Sequence, residues 1–393
     1  MTAPRPEVAE VIAQSAAAYE ASYGASPGQR RLLRDLASCR TAALGGHKQQ
    51  CAQCGHEVIA YNSCRNRHCP KCQGPARAAW LAARAADLLP VPYFHVVFTL
   101  PAPLGPLALQ NKRLLYGMLF RAAAATLRTI ARDPKHLGAD IGFLAVLHTW
   151  GQTLQHHPHL HCVVLGGGLA ADGTRWVACR PHFFLPVRIV SRRFRRSFLT
   201  LLRDARAQGK LQFHGQLTAL ADPTAWERWV HALARIEWVV YAKPPFGGPR
   251  QVLKYLARYT HRVAIANQRL VSVADGRVTF RWKDYAHGHR ARTMTLDAVE
   301  FLRRFLLHRL PRSFHHIRQY GLLGNRGRTT HLARCRELLG QPQVAADPPD
   351  TLDATAPRDV CPACGTGRLT FVAILPAQPA LAPSARLLPR NTS

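Results

Sequence analysis

The feature that most constrains the fold is a cysteine cluster near the beginning of the 393-residue chain. It contains two CxxC pairs and two further candidate ligands between them: Cys51, Cys54, Cys69, Cys72, Cys64 and His68. A CxxC turn presents two thiolates on one side of a knuckle, and two such turns supply the four sulfurs of a tetrahedral zinc site. The spacing therefore predicts one structural Zn²⁺ ion bound by both pairs. Cys64 and His68 could each be a ligand instead, or His68 could contact DNA.

A third CxxC pair, Cys361 and Cys364 in CPACG, forms only half of a site. Cys335, His331 or another chain could complete it, and a free pair is an equally good interpretation. The chain has an odd count of 11 cysteines, and their clustering is typical of metal binding in a reducing compartment rather than of a secreted disulfide framework. No signal peptide begins the chain, and no apolar run approaches the ~20 residues of a spanning helix. We expect a cytoplasmic protein with no membrane contact.

The charge balance predicts a polyanionic partner. Lys and Arg number 53 against 22 Asp and Glu, which gives a net charge of +31. Neutralising phosphates releases their counterions, so such a surface favours nucleic acid. Arg65, Arg67 and Lys71 lie within the cysteine cluster, and they predict that the knuckle contacts a DNA backbone.

The pattern of hydrophobic residues predicts an α+β fold with an antiparallel sheet. Strands are expected at 93–100, 141–150 and 159–165, with a helix at 111–133 between the first two and a turn at the glycines 166–168. We divide the chain into a helical, zinc-binding and DNA-binding domain at 1–89, a catalytic domain at 90–327, and a C-terminal linker and tail at 328–393. The tail is rich in Pro and Ala and carries the third CxxC.

The segment HHPHLHC places His159 and His161 two positions apart on a predicted strand. Their side chains therefore share one face, where two imidazoles can bind one metal ion. No Asp or Glu occurs between residues 141 and 171, so a third ligand on this hairpin must be His or Gln. Gln152 and His148 are both available near the end of the preceding strand.

Tyr255 and Tyr259 lie four residues apart in VLKYLARYTHR, a spacing that places them on one face of a helix. A core stripe is the ordinary interpretation of this spacing. The surroundings favour chemistry instead, because residues 238–274 contain no acid and carry several cations, among them Lys243, Lys254, Arg258 and Arg262. A phenol that attacks a phosphodiester needs its substrate held and its negative charge stabilised, and such a setting provides both.

A cysteine knuckle, then HPHLH after a strand, then YxxxY on a later helix resembles the HUH-type rolling-circle transposases of bacteria. The closest resemblance is to the insertion-sequence family numbered ninety-one, in YNSCRNRHCPKCQ, HTWGQTLQHHPHLHCVVLGGG and KYLARYTHRVAIAN. It implies an HUH endonuclease domain, whose palm-like sheet carries the histidines on a central strand and has the tyrosine helix opposite. The resemblance implies that His159, His161 and an upstream polar residue bind Mg²⁺ or Mn²⁺, with Gln152 the first choice for that residue and His148 the second. Two imidazoles favour Mn²⁺.

The resemblance also implies single-strand DNA cleavage through a 5′-phosphotyrosine formed by Tyr255 or Tyr259. No GxxxxGK[ST] motif occurs, so host helicase or replication proteins would unwind the DNA. A plasmid relaxase or replication initiator, which also combines histidine metal ligands with a tyrosine nucleophile, is an alternative within the same class of enzymes. A non-catalytic zinc-ribbon DNA-binding protein, in which both motifs are structural, is the alternative from another class. The sequence does not determine an oligomeric state.

Overall fold

The computed structural model describes residues 5–180, 184–243, 251–252, 263–285, 287–340 and 360–378. The α-helices in these ranges are α1 Val8–Tyr23, α2 Pro27–Ala37, α3 Gln73–Ala85, α4 Gly105–Gln110, α5 Lys112–Arg132, α6 Val187–Ala207, α7 Pro223–Arg235, α8 Ala298–Leu307 and α9 Arg328–Leu338. The strands are β1 Gly46–Cys51, β2 Glu57–Tyr61, β3 Tyr93–Thr99, β4 Asp140–Trp150, β5 His156–Leu169, β6 Trp176–Ala178, β7 Val240–Lys243, β8 Leu270–Ala274, β9 Arg277–Asp284, β10 Arg290–Asp297, β11 Ile317–Gly321 and β12 Leu369–Leu375. None of the described helices is long and apolar enough to cross a membrane.

The central sheet has the strand order β11-β4-β5-β3-β7, and β6 pairs with the end of β5. All neighbouring strands are antiparallel, which confirms the predicted α+β class. Side chains alternate between the two faces. Leu160, Cys162 and Val164 of β5 pack against the core formed with α5, α6 and α7, whereas Val163 and Leu165 face a second cluster that includes residues of α9.

Strand β5 is longer than predicted, because the three glycines continue it instead of turning the chain. A Cβ on Gly167 would lie 2.6 Å from the Val177 carbonyl oxygen, and one on Gly168 would lie 2.3 Å from the Asp140 carbonyl oxygen. Glycine is required here because neighbouring strands approach closely.

The N-terminal helices pack against a distant part of the chain. Val11, Ile12 and Leu36 of α1 and α2 share an apolar core with Phe280 of β9 and Phe301 of α8. Helix α2 begins at a capping box, in which Ser26 accepts a hydrogen bond from the Gln29 N–H and the Gln29 side chain bonds back to the Ser26 N–H. The zinc-binding region is therefore fixed on the three-stranded sheet β8-β9-β10 and α8.

The C-terminal segment is more ordered than the predicted linker and loose tail. Strand β12 pairs antiparallel with β1, from Gly46 opposite Leu375 to Cys51 opposite Leu369. Its sequence LTFVAIL is rich in β-branched and aromatic residues, and β1 offers a free edge because its other edge pairs with β2. The sequence analysis missed this strand because the surrounding tail is rich in Pro and Ala, which is typical of a linker.

The loop after α8 joins the zinc-binding region to the central domain. The Arg67 guanidinium donates to the Phe314 carbonyl at 2.6 Å and to the Pro311 carbonyl at 2.7 Å, and the ring of His68 accepts from the Leu310 N–H at 3.4 Å. Burial lowers the pKa of Arg67 and lowers the pKa of His68 to about 3. The predicted DNA contact of Arg67, and the predicted zinc or DNA contact of His68, are therefore corrected to contacts within the protein.

Candidate functional site

Three histidines converge on one face of the central sheet. His159 and His161 lie on β5, and His148 of β4 stands directly opposite His159 in the strand register. Each ring offers a nitrogen, and these three atoms lie within 4.8 Å of one another. The alternation of β5 thus places two imidazoles on one face, as the sequence predicts, and the antiparallel register adds the third.

Hydrogen bonds orient the two histidines of β5. Nδ1 of His159 lies 2.7 Å from the His157 carbonyl oxygen, and Nδ1 of His161 lies 2.9 Å from Nε2 of His95 on β3. With Nδ1 engaged, Nε2 is the atom that each ring can offer to a metal. Outer contacts of this kind fix the tautomer and the orientation of metal-binding histidines. His95 was missed by the sequence analysis, because a single His in YFHVVFTL gives no spacing signal.

Gln152, the first choice for the third ligand, is held elsewhere. Its Oε1 accepts from the Lys283 N–H at 3.4 Å, and its Nε2 lies 3.5 Å from the Tyr285 hydroxyl, so both contacts are with β9 and the turn after it. His148 takes the place beside His159 and His161, which corrects the predicted ligand set. Three imidazole nitrogens are ligands that suit a divalent transition metal.

A layer of buried histidines supports the hairpin between β4 and β5. Nδ1 of His308 lies 3.2 Å from the Thr149 hydroxyl and its Nε2 lies 3.0 Å from the Leu154 carbonyl oxygen. Nε2 of His156 lies 2.8 Å from the Tyr116 hydroxyl. Burial lowers the pKa of His308 to about 4 and the pKa of His156 to about 3, so both rings stay neutral near pH 7. As neutral rings, His308 and His156 stabilise the hairpin by hydrogen bonds to Thr149, Leu154 and Tyr116.

The cysteines form two clusters of four and not the predicted single cluster. The first contains Cys39, Cys64, Cys69 and Cys72, and the second contains Cys51, Cys54, Cys361 and Cys364. Within each cluster the ligand atoms lie within 4.8 Å of one another. The predicted set of Cys51, Cys54, Cys69 and Cys72 is therefore divided between two places, and the free-pair interpretation of Cys361 and Cys364 is wrong.

The first cluster is buried against the N-terminal helices. Sγ of Cys72 lies 3.5 Å from Sγ of Cys39 and 3.6 Å from Sγ of Cys64, and the Cys64 N–H donates to Cys39 Sγ at 3.5 Å. Cys64, left open by the sequence, is thus in a cluster of four sulfurs. Cys39 was missed because it stands alone at the end of a helical segment, with no CxxC partner to mark it.

The basic residues of the knuckle have different surroundings. Arg65 is exposed, with a φ of 52°. The Lys71 ammonium forms an ion pair with Glu7 and bonds to the Cys39 carbonyl at 3.4 Å, so it is engaged within the protein. Lys243 ends β7, the strand beside β3, where its backbone pairs with His95.

The predicted nucleophiles Tyr255 and Tyr259 lie outside the described residues, as do Lys254, Arg258 and Arg262. Val252, just before them, is helical and fully buried. It packs with Leu144 and Val146 of β4 and with Val163 of β5. Those side chains share a sheet face with His148, His159 and His161, since they alternate with the same parity along the strands.

The family comparisons agree with this architecture. Residues 11–100 match a family model described as "Transposase zinc-binding domain", named for IS91, and residues 142–330 match one described as "Putative transposase". The putative transposase y4qJ of Sinorhizobium fredii is 56% identical over 379 residues, which cover 94% of this chain and 95% of that protein. The transposase for insertion sequence element IS801 of Pseudomonas savastanoi pv. phaseolicola is 30% identical over 310 residues, which cover 77% of this chain and 72% of that protein. No solved structure matches the chain.

The matches to a transposase zinc-binding domain and to a putative transposase domain show that this α+β chain is a transposase. It belongs to the IS91 family of insertion-sequence transposases. The predicted membership of insertion-sequence family ninety-one is therefore confirmed. A transposase acts on DNA, in agreement with the net charge of +31.

Proposed function

We propose that this transposase cuts and joins single DNA strands through a 5′-phosphotyrosine intermediate during rolling-circle transposition. The observation that carries the proposal is the convergence of His148, His159 and His161 on one face of the central sheet. Three ring nitrogens from two adjacent strands, one from β4 and two from β5, with the two rings of β5 oriented by outer hydrogen bonds, are the arrangement expected of a metal centre rather than of core packing.

We assign Tyr255 and Tyr259 as the nucleophiles on their sequence pattern, because they lie four residues apart in a stretch, 238–274, that has no acid and several cations. Both tyrosines lie outside the described residues. The described Val252, three residues before Tyr255, packs on the sheet face that carries the three histidines.

His148, His159 and His161 would hold the metal ion, Mg²⁺ or Mn²⁺. When bound, the ion supplies positive charge that polarises the phosphoryl oxygens. The protein's own contribution is orientation, because the His157 carbonyl and His95 fix the two rings of β5. The buried layer around His308 keeps Thr149, next to His148, in place.

In the cleavage step, a tyrosine oxygen forms a bond to phosphorus and the bond between phosphorus and the 3′ oxygen breaks. The phenol gives up its proton and the 3′ oxygen takes one up, which leaves a free 3′-OH and a 5′-phosphotyrosine. Joining is the reverse reaction with another 3′-OH. Two tyrosines would allow one cut end to stay bound while the other phenol cuts a second strand.

We propose that the DNA contacts are made by the exposed Arg65 and by the cations of the segment that has no acidic residue. We assign Arg65 on the knuckle, together with Lys243, Lys254, Arg258 and Arg262, to the phosphate backbone. The chain has no GxxxxGK[ST] motif, so unwinding of the duplex is left to host helicase and replication proteins in the bacterial cytoplasm.

A covalent-adduct assay tests the proposal. The purified protein is incubated with a labelled single-stranded oligonucleotide from the end of the element and with Mn²⁺. We expect an adduct that survives denaturation and that is lost when both Tyr255 and Tyr259 are changed to Phe. Tyr23→Phe is the matched control, since Tyr23 is 55% exposed at the end of α1. An undiminished adduct in the double variant would overturn the assignment of the nucleophiles. No adduct in the wild type would favour a non-catalytic DNA-binding protein.

The same assay separates the two candidates for the third ligand. His148→Gln should lower the adduct yield at limiting Mn²⁺ by roughly 10-fold to 100-fold, the range for loss of a metal-site interaction. Gln152→Ala should lower it much less, because the Gln152 amide bonds to β9. The reverse ranking would restore Gln152 as the ligand.

A further inference from the structure

The second cysteine cluster joins two segments at opposite ends of the chain. We propose that the protein binds two zinc ions, and that the second ion, held by Cys51, Cys54, Cys361 and Cys364, fastens the C-terminal segment to the N-terminal zinc-binding domain. The matched zinc-binding region ends at residue 100, so half of these ligands lie far outside it. This inference does not depend on the nicking reaction.

The spacing of the sulfurs is that of a tetrahedral zinc site. Sγ of Cys51 lies 3.8 Å from Sγ of Cys364, and Sγ of Cys54 lies 3.6 Å from Sγ of Cys361. Zinc–sulfur bonds of about 2.3 Å in a tetrahedron place the sulfurs about 3.8 Å apart. A disulfide would need a separation of about 2.05 Å, so these are not bonded pairs.

The two halves of the site have the same local structure. In the first, the N–H groups of Gln53 and Cys54 donate to Cys51 Sγ, both at 3.4 Å. In the second, the Ala363 N–H donates to Cys361 Sγ at 3.4 Å. Such bonds stabilise thiolates, the form that binds zinc.

A glycine follows each pair in the left-handed region, Gly55 with φ 71° and Gly365 with φ 72°. The two turns share the left-handed glycine and the N–H bond to the first cysteine from the residue two positions later, and their sulfurs face each other.

The backbone of Gly367 lies directly against the sulfurs of the site. Gly367 donates its N–H to Cys364 Sγ at 3.2 Å and accepts from the Cys361 N–H at 2.7 Å. A Cβ on Gly367 would lie 2.3 Å from Cys51 Sγ. Since the φ of Gly367 is not in the left-handed region, the close approach to the sulfur is the reason for glycine here.

Apolar burial contributes little to holding the C-terminal segment. Phe371, Val372 and Ile374 of β12 are 61%, 46% and 77% exposed. The strand is otherwise held by its backbone pairing with β1, by the Thr370 hydroxyl bond to the Gln50 carbonyl and by the contact of Phe371 with the His47 ring. These contacts belong to a small three-stranded sheet with little apolar burial, which is only modestly stable in water. A metal ion that binds both segments would provide the missing stability, as zinc does in small domains with little core.

The test measures zinc in the full-length protein after reconstitution with Zn²⁺ and desalting. Wild type should contain two zinc ions per chain, and Cys361→Ser/Cys364→Ser should contain one. Cys179→Ser is the matched control and should keep two, because Cys179 belongs to neither cluster. Any zinc held by the three histidines adds equally to both proteins, so the difference between wild type and the double variant is what counts, and an equal zinc content in the two would overturn the proposal.

A second measurement needs no variant. Thiol alkylation of the native protein is followed at each cysteine by mass spectrometry, with and without a zinc chelator. Chelation should raise the alkylation rates of Cys54, Cys361 and Cys364 together. Alkylation of Cys361 and Cys364 at a rate independent of the chelator would contradict the site. Neither measurement uses DNA cleavage, so failure of the proposed nicking activity would leave this result interpretable.

Discussion

The two cysteine clusters each consist of four cysteines, but they differ in how much apolar core surrounds them. Cys39 and Cys69 of the first are 0% and 1% exposed, and they pack in the apolar core of α1, α2, α8 and β9. In the second, Cys51 and Cys361 are also buried but Cys54 is exposed, and the cluster lies beside a small sheet whose last strand, β12, exposes most of its large apolar side chains. The comparison teaches that the same metal chemistry can stabilise a core in one place and link two chain segments in another.

The largest effect is expected from removing a ligand of the buried cluster. Cys69→Ser should lose one zinc ion and destabilise the fold by more than about 4 kcal/mol, because a structural metal contributes its binding energy to folding. Cys54→Ser should also lose one ion, at a cost of less than about 2 kcal/mol, since the affected region has little core. Thermal or denaturant unfolding with zinc analysis measures both. Equal destabilisation by the two variants would break the comparison.

Arg67→Ala tests whether the region of the first cluster is held on the loop after α8 by the hydrogen bonds of Arg67. The change removes two charge-assisted hydrogen bonds to the Pro311 and Phe314 carbonyls, worth roughly 3 kcal/mol together. Arg65→Ala, two residues away and exposed, is the control and should stay within about 0.5 kcal/mol of wild type. Denaturant unfolding followed by intrinsic fluorescence gives both values. If the two variants unfold alike, the bonds of Arg67 do not fix the knuckle on the loop after α8.

Gly367→Ala sharpens the description of the second cluster. The new methyl group would lie 2.3 Å from Cys51 Sγ, and we expect the affinity for the second zinc ion to fall by roughly 10-fold to 100-fold. Gly74→Ala is the control, because a Cβ there meets no atom within 4 Å. Competition with a chromophoric chelator measures the affinities. An unchanged affinity in Gly367→Ala would show that the sulfurs are not held as described.

Metal removal should distinguish the clusters by rate. With excess chelator, the second cluster should release its zinc about 10-fold faster or more, because opening an exposed segment costs less free energy than opening a packed core. Site-resolved alkylation identifies which cysteines react first. Release of both ions in one phase would mean that the clusters open together.

Much of the sheet and of its histidines follows from local sequence. The alternation in YFHVVFTL and in HPHLHCVVL predicts strands, and it places His159 and His161 on one face before any fold is known. The predicted helix at 111–133 is close to the observed α5. These features can be predicted from local sequence, since they depend only on the alternation of side chains along a strand and on the periodicity of a helix.

The ligands that were missed or misassigned all depend on contacts between distant segments. His148 replaces Gln152 because the register of β4 on β5 places it opposite His159, and Gln152 turns away to β9. His95 reaches His161 through the pairing of β3 with β5. Strand register is set by a whole hairpin, so one-dimensional spacing does not determine it.

The sequence by itself determined that this chain carries metal-binding pairs, a histidine strand and a surface suited to DNA. It fixed each CxxC as a unit, because two ligands three residues apart share one turn. Only the tertiary structure decided that Cys51 and Cys54 join Cys361 and Cys364, while Cys69 and Cys72 join Cys39 and Cys64. The physical reason is that a knuckle supplies half of a tetrahedron, and the path of the chain through space selects the other half.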